Sequence, residues 1–398
     1  MRGAMKYVNA NDILPEELLS MIRKYYQNGY LYIPKEKNCE VKRKTEYKIE
    51  LEKRNQHIYL MHLEGKTNGQ LGTIFHLSGA SIRRIISKEK VAYQQVKEQI
   101  EQILPLWGIE CKQLLQIYPS AWEINQSYVI KVYDDKRQLK RNIKTAEILL
   151  HCAIPVAETV LTKTGEKYVE CKGKYFFMSA KLQGHNISNI KDNAIAWKMG
   201  CAIAQLHLAF IQCEKEIEFW DNSLLKEMKG WIWESLTKNE WKILTEAEYS
   251  KTVALLEKTD DYLPKQLIHR DVHFGNFLFF EGNLSGYIDF DLSQRNIRIF
   301  DVCYFLTGLL AEKTDDPYTK NEWIENVKSV MAGYESVITL SVEEKNAIPC
   351  VMECIEILFV AYFIRMDDTK SANDAYRVFR FIQDCESDMK SHTPISQN

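Results

Sequence analysis

Apolar positions recur at helical spacing along most of the chain, and the runs that break this rhythm are short. In residues 11–26, Leu18, Met21, Ile22 and Tyr25 fall on one face. Asp12 stands as an N-cap and Glu16 and Glu17 occupy the first turn, so a capped helix is predicted. Residues 30–34 read as a short strand, and a second helix is expected over about 45–63, carrying Tyr47, Leu51, Ile58 and Met61. Between 67 and 88 the spacing predicts two short helices joined by a tight turn. Leu71, Ile74 and Phe75 pack the first, Leu77, Ile82, Ile85 and Ile86 pack the second, and Ser78 caps the second. A further helix starting at Val91 places Val96, Ile100, Ile103, Leu104 and Trp107 on one side. No Pro/Gly/Ser-rich linker precedes it, so a stiff junction is expected.

Period-two alternation then takes over at 113–118, 128–133, 168–171 and 175–178, interrupted by one helix over about 140–152. From about 193 the pattern is helical again, except for strands at 277–280 and 286–290 around a Gly282-Asn283 turn. No internal repeat is evident, and a polar tail is expected from about 387.

At 398 residues the chain is long enough for about two to three domains, and 45% apolar with 27% charged residues excludes a disordered or fibrous chain. The net charge of −2 conceals an uneven distribution. Residues 1–90 hold 17 Lys/Arg against 10 Asp/Glu, whereas the remainder holds 35 against 44. A basic first part suits a polyanion such as DNA, and the exposed face of the second short helix would present Ser81, Arg83, Arg84 and Lys88. No continuous run of about 18 apolar residues and no apolar leader occur, so neither membrane insertion nor secretion is expected. The ten cysteines are scattered without a CxxC pair, which fits free thiols in a reducing cytoplasm.

The strongest chemical pattern is Leu267-Ile-His269-Arg270-Asp271-Val-His273-Phe-Gly275-Asn276, followed by Tyr287-Ile-Asp289-Phe-Asp291. A carboxylate, an amide five residues later and a second carboxylate thirteen beyond form the set that kinases use for phosphoryl transfer. Asp271 on a loop would accept the proton of an acceptor hydroxyl. Asn276 and Asp289 would reach one Mg²⁺ from two directions with hard oxygen ligands, and Asp291 would assist at its edge. His269 reads as a buried scaffold residue, and the role of His273 is left open.

These residues resemble the aminoglycoside phosphotransferase/choline kinase-like small-molecule kinase superfamily over about residues 91–385. His273-Phe-Gly275-Asn276 and Asp289-Phe-Asp291, the latter followed by Arg298-Ile-Phe-Asp301, favour this branch over protein kinases. The resemblance implies an α+β, bilobal protein-kinase-like fold using ATP and Mg²⁺, with Asp301 bracing the catalytic loop or capping a helix. It implies Lys131 as the phosphate lysine, Ser120 or backbone N–H groups at the glycine-free loop, and Glu147 as the partner of Lys131. Ser179, Ala180, Lys181 and Leu182 match the adenine hinge.

Residues 5–88 resemble small Mor-like helix-turn-helix proteins, which implies DNA contact through 67–88; a helical oligomerisation module fits the same pattern, and a homodimer is compatible with either. The expected organisation is a helix-turn-helix domain at 1–90, an N-lobe at 91–182, a C-lobe at 183–386 and a tail. The acceptor region, about 185–265, mixes Trp220, Trp231, Trp233 and Trp241 with carboxylates, which suits an amine or quaternary ammonium. The competing class is a DNA-binding regulator whose kinase fold senses a ligand.

Overall fold

The computed structural model describes residues 19–20, 46–75, 77–187, 190, 192–311 and 317–391. Apart from the helical pair 19–20, the helix expected at 11–26 and the strand at 30–34 lie outside these residues. By internal contacts the chain divides into Met1–Thr45 and Glu46–Asn398.

The second unit begins with α1 (Glu46–Leu63), α2 (Asn68–Ile74) and α3 (Gly79–Ile103). Thr67 starts α2 with a capping box shared with Gln70, and the Ser78 hydroxyl accepts the Ser81 N–H at the start of α3. Ile58, Leu71 and Ile82 are fully enclosed where the three helices meet. The second helix of the predicted pair is not short. It continues without a break through residue 90, the expected domain boundary, because no glycine or proline interrupts 80–103. Its 25 residues span about 37 Å, so one rod carries both Ile82 in the helical module and Ile100 and Ile103 in the next core.

That next core is the back of a five-stranded antiparallel sheet in the order β1-β2-β3-β5-β4. Its strands are β1 (Leu114–Tyr118), β2 (Ala121–Ile124), β3 (Tyr128–Tyr133), β4 (Tyr168–Cys171) and β5 (Lys174–Ala180). β2 falls in a stretch read from sequence as loop, since four residues give only one full alternation. Cross-strand partners point to the same face. Trp122, Ile130 and Met178 are aligned and buried against Ile100, Ile103 and Trp107. Tyr93 of α3 lies 4.7 Å from Trp122 and 5.5 Å from Tyr59 of α1, ring centre to ring centre, which ties the helical module to β2. The opposite face aligns Ala121, Lys131 and Phe177 in one row and Glu123, Val129 and Ser179 in the next. Helix α4 (Lys136–His151) packs on this face through Leu139 and Ile143 against Tyr133 and Phe177.

The C-terminal part is built from α5 (Asn193–Glu216), α6 (Trp233–Lys238), α7 (Glu246–Thr259), α8 (Phe300–Ala311), α9 (Lys320–Glu335), α10 (Val342–Arg365) and α11 (Thr369–Ser391). Residues 387–391, expected as the start of a polar tail, form the last turn of α11, and the rest of that stretch lies outside the described residues. Helices α5 and α10 contain no unbroken run of 18 apolar residues, yet by length and mean composition each is apolar enough to cross a membrane. Of their most apolar windows, 56% and 72% are buried inside the molecule, so that apolarity serves the core. Glycines set one approach that matters for the site. A Cβ at Gly200 would collide with the Val330 carbonyl, and one at Gly333 with that of Trp197, so α5 and α9 meet backbone to backbone.

Two short ladders carry the loops: β6 (Lys265–Ile268) with β9 (Gln294–Ile297), and β7 (Phe277–Phe280) with β8 (Asn283–Tyr287). β6 and β9 were absent from the sequence reading, because four-residue strands are too short to outweigh the surrounding helical pattern.

Candidate active site

Asp271 stands on the loop after β6, and that loop is held from beneath. Asp301, in the first turn of α8 and fully buried, accepts the His269 N–H at 2.7 Å on Oδ2 and the Arg270 N–H at 2.9 Å on Oδ1. Its Oδ2 also lies 3.0 Å from His207 Nε2, and His207 Nδ1 lies 2.8 Å from the Tyr334 hydroxyl. The glycine-mediated approach of α5 and α9 brings His207 and Tyr334 together. Arg270 takes a left-handed backbone, φ 74°, and its guanidinium donates to Glu227 Oε2 at 2.7 Å while lying over the Phe300 ring. A non-glycine residue there costs about 1–3 kcal/mol, which the surrounding bonds offset. His269 is the scaffold residue expected, fully enclosed, with its ring 3.2 Å from the Ile288 carbonyl.

Both oxygens of Asp271 are engaged. Oδ1 accepts the Tyr304 hydroxyl at 3.0 Å and Oδ2 accepts Asn276 Nδ2 at 3.1 Å, with His273 Nε2 at 3.6 Å. Burial opposes charge on Asp271, but the hydrogen bond and charge of His273, the charge of His269 and the Tyr304 hydroxyl outweigh it, pulling the carboxyl down to about 2. His273 is held over the loop by accepting the Gly275 N–H at 3.0 Å. A Cβ at Gly275 would stand 2.5 Å from the His273 ring, so the glycine of the His-Phe-Gly-Asn run makes room for that fold-over. Tyr304 was missed from sequence; its place one turn beyond Asp301 gives no signal by itself.

Across the cleft, Lys131 of β3 reaches Asp289 Oδ1 at 3.0 Å and Asp291 Oδ2 at 4.0 Å. Burial works against the lysine charge, but Tyr133, Asp289 and Asp291 outweigh it and hold the ammonium above the usual lysine range. Burial alone would raise Asp289, yet Lys131 holds its carboxyl below the ordinary value. Asp291 is raised, by burial first and then, against the pull of Lys131, by its negative neighbour. Asp289 is itself left-handed, φ 64°, which re-aims the chain as it leaves β8.

One expectation is corrected. Glu147 does not meet Lys131 and is instead ion-paired with Lys167. Helix α4 faces the cleft at Asn142, and five residues turn the helix by about 140° away from that direction. Asn142 Nδ2 donates to Asp291 Oδ1 and, at 3.2 Å, to the Tyr133 hydroxyl. In the hinge, Ser179 and Ala180 belong to β5. The Ala180 and Lys181 N–H groups are spent on the carbonyls of Glu158 and Ser127 at 2.9 and 2.8 Å, while Lys181 Nζ pairs with Glu123 at 2.6 Å. An adenine contact through either N–H would have to exchange an existing bond. Among the acceptor-side tryptophans, Trp233 and Trp241 pack with Tyr249 and Trp231 stacks on Arg365, so these faces are occupied by the protein itself. Trp220 remains exposed. Ser120 sits half-buried at the two-residue β1–β2 turn, next to Ala121, which pairs with Lys131.

The donor set suits a divalent cation: two carboxylates facing an ammonium, and an amide whose nitrogen is committed to Asp271, at 2.9 Å from its carbonyl and 3.1 Å from its Oδ2. The Asn276 oxygen is thereby the atom left for a hard cation.

Comparison with known proteins gives the family and the fold. Residues 119–337 match the model of the phosphotransferase enzyme family. Homoserine kinase of Neisseria meningitidis serogroup B is 25% identical over 232 residues, covering 56% of this chain and 70% of that protein. The uncharacterized protein YraL of Bacillus subtilis is 38% identical over 89 residues, 21% of this chain and 97% of its own length. Among solved structures, an amicoumacin kinase in complex with AMP-PNP, Ca²⁺ and Ami shares the fold, with a TM-score of 0.54 and 17% identity over 74% of this chain and 96% of that one. A family match over more than half of the residues, on a kinase-like fold, makes this chain a member of the phosphotransferase enzyme family and a small-molecule phosphotransferase.

Proposed function

We propose that this protein transfers the γ-phosphoryl group of Mg-ATP to a hydroxyl of a small amine-bearing molecule. The observation that carries the reading is the convergence of Asp289 and Asp291 on Lys131, beside a loop on which Asn276 is bonded to Asp271. Asp271 orients the acceptor hydroxyl and takes its proton on a carboxylate that is ionised at neutral pH. Lys131 turns from the aspartates to the α/β-phosphates, and Ser120 and the backbone of the β1–β2 turn close over them. Asn276, Asp289 and Asp291 would hold Mg²⁺, which supplies charge neutralisation on the phosphate oxygens when bound. Positioning and electrostatics, with no covalent enzyme intermediate, suffice for this chemistry.

Similarity to a homoserine kinase supports an acceptor with both an amine and a hydroxyl. Purified protein given Mg-ATP and a panel of amino alcohols, aminoglycosides and sugars is expected to release ADP with at least one amine-bearing member. Nucleotide binding without ADP release across the panel would favour the ligand-sensing alternative.

A second reading concerns the helical module. Its α2–turn–α3 arrangement leaves Arg83, Arg84, Ser87 and Lys88 exposed on α3, which supports contact with duplex DNA by residues 67–88. DNA affinity in a gel-shift series is expected to fall steeply with salt and to weaken for Arg83→Ala plus Arg84→Ala. No binding at low salt would leave assembly as the role of the module.

A further inference from the structure

Helix α4 offers Lys131 no carboxylate. Its residue nearest the cleft is an amide, and that amide bonds the metal-side aspartate. Both hydrogens of Asn142 Nδ2 are used, one on Tyr133 Oη and one on Asp291 Oδ1. The other oxygen of Asp291 then faces Lys131 at 4.0 Å. The donor's position is fixed from both sides. Asp135 caps the start of α4 through the Arg137 N–H at 2.7 Å, while Leu139 and Ile143, flanking Asn142, pack into the cluster of Tyr133, Tyr168, Tyr175 and Phe177.

We propose that Asn142 is a positioning residue for the metal. It pins one oxygen of Asp291 to helix α4 and so presents the other to the cation and phosphates. The inference rests on the phosphotransfer reading above. An amide here donates to Asp291 where a third acid would add like-charge repulsion beside Asp289 and Asp291. Because Asn142 donates and carries no charge, it orders Asp291 without adding to the negative charge of the site. The position of α4 is thereby read out at Asp291.

The test is equilibrium binding of Mn²⁺ or Mg²⁺ to the full chain saturated with a nonhydrolysable ATP analogue, measured by titration calorimetry. Groups that orient a metal ligand typically contribute about 10–100-fold to metal affinity. Asn142→Ala is expected to weaken metal binding by about that factor while metal-free nucleotide affinity stays at the wild-type value. Asn142→Leu keeps the volume, removes both donors and is expected to behave alike; it replaces the alanine variant should that one not fold. Tyr133→Phe removes the other acceptor of Asn142 but leaves its bond to Asp291, so metal affinity should remain that of the wild type. Equal metal affinity in the Asn142 variants and wild type would overturn the proposal. So would an equal loss in Tyr133→Phe, which would mean that Asn142 only fastens the helix to the sheet. Should wild-type protein bind no metal–nucleotide complex, the phosphotransfer reading falls and this proposal with it.

Discussion

Asp271→Asn is expected to lower kcat by about 10²–10⁴-fold, the usual contribution of a positioned general base, with the affinity for ATP little changed. The substitution keeps the shape and the oxygen that accepts the Tyr304 hydroxyl; it loses the acceptor of Asn276 Nδ2 on Oδ2, whose bond to the backbone carbonyl of residue 271 remains, and an amide cannot take the acceptor's proton. Steady-state kinetics with a responsive acceptor, alongside nucleotide binding, separates the two effects. Retention of kcat within a few-fold would remove Asp271 from the chemistry. The pH profile adds a second readout. The carboxyl of Asp271 is drawn down to about 2, so it is already ionised well below neutrality and no acid limb above about pH 3 should be assigned to it. For folding the sign follows the same depression. The native state favours the charged form, a contribution present above the ordinary carboxylate range and lost as the pH falls from there towards 2.

Asp301→Ala is expected to cost about 3–5 kcal/mol of folding stability and to abolish activity without touching any reacting group. The carboxylate has no exposure, and its removal leaves the His269 and Arg270 N–H groups and the His207 ring without their partner in a region closed to water. Arg270 would lose the bond that helps to hold its left-handed backbone, and the loop carrying Asp271 would relax. Chemical denaturation measures the loss. A destabilisation below about 1 kcal/mol would show that the loop is held by Arg270–Glu227 and the Phe300 stack alone.

The kinase chemistry was legible because it is written locally. Asp271 and Asn276 share one loop, and Asp289 follows a single hairpin, so chain geometry limits where they can stand. Lys131 was named through the resemblance of its strand to the family's lysine strand, and the sheet sets it in one row with Ala121 and Phe177. Glu147 shows where this kind of reasoning stops. The helix containing it was recognised, but its spacing does not say which face turns to the aspartates: Asn142 does, and Glu147, five residues on, points about 140° away and pairs with Lys167. The acidic-aromatic acceptor region stops it in another way. Its tryptophans are spaced as a binding wall would be and also as packing would be, and the contacts of Trp231, Trp233 and Trp241 are packing.

By itself, then, the sequence determined the features set within one or two turns of chain: the phosphotransfer loop, the lysine strand, the capped helices and the helical module before them. Backbone periodicity and covalent reach specify those without reference to the rest of the molecule. Tertiary structure alone decided which groups meet across long separations. Lys131 joins Asp289 over 158 residues, Asn142 joins Asp291 over 149, and His207 joins Asp301 over 94. It also decided that the second helix of the module and the support of the nucleotide sheet are one rod. Those outcomes depend on how faces of separate elements pack together, and no local spacing encodes the orientation of one face against another.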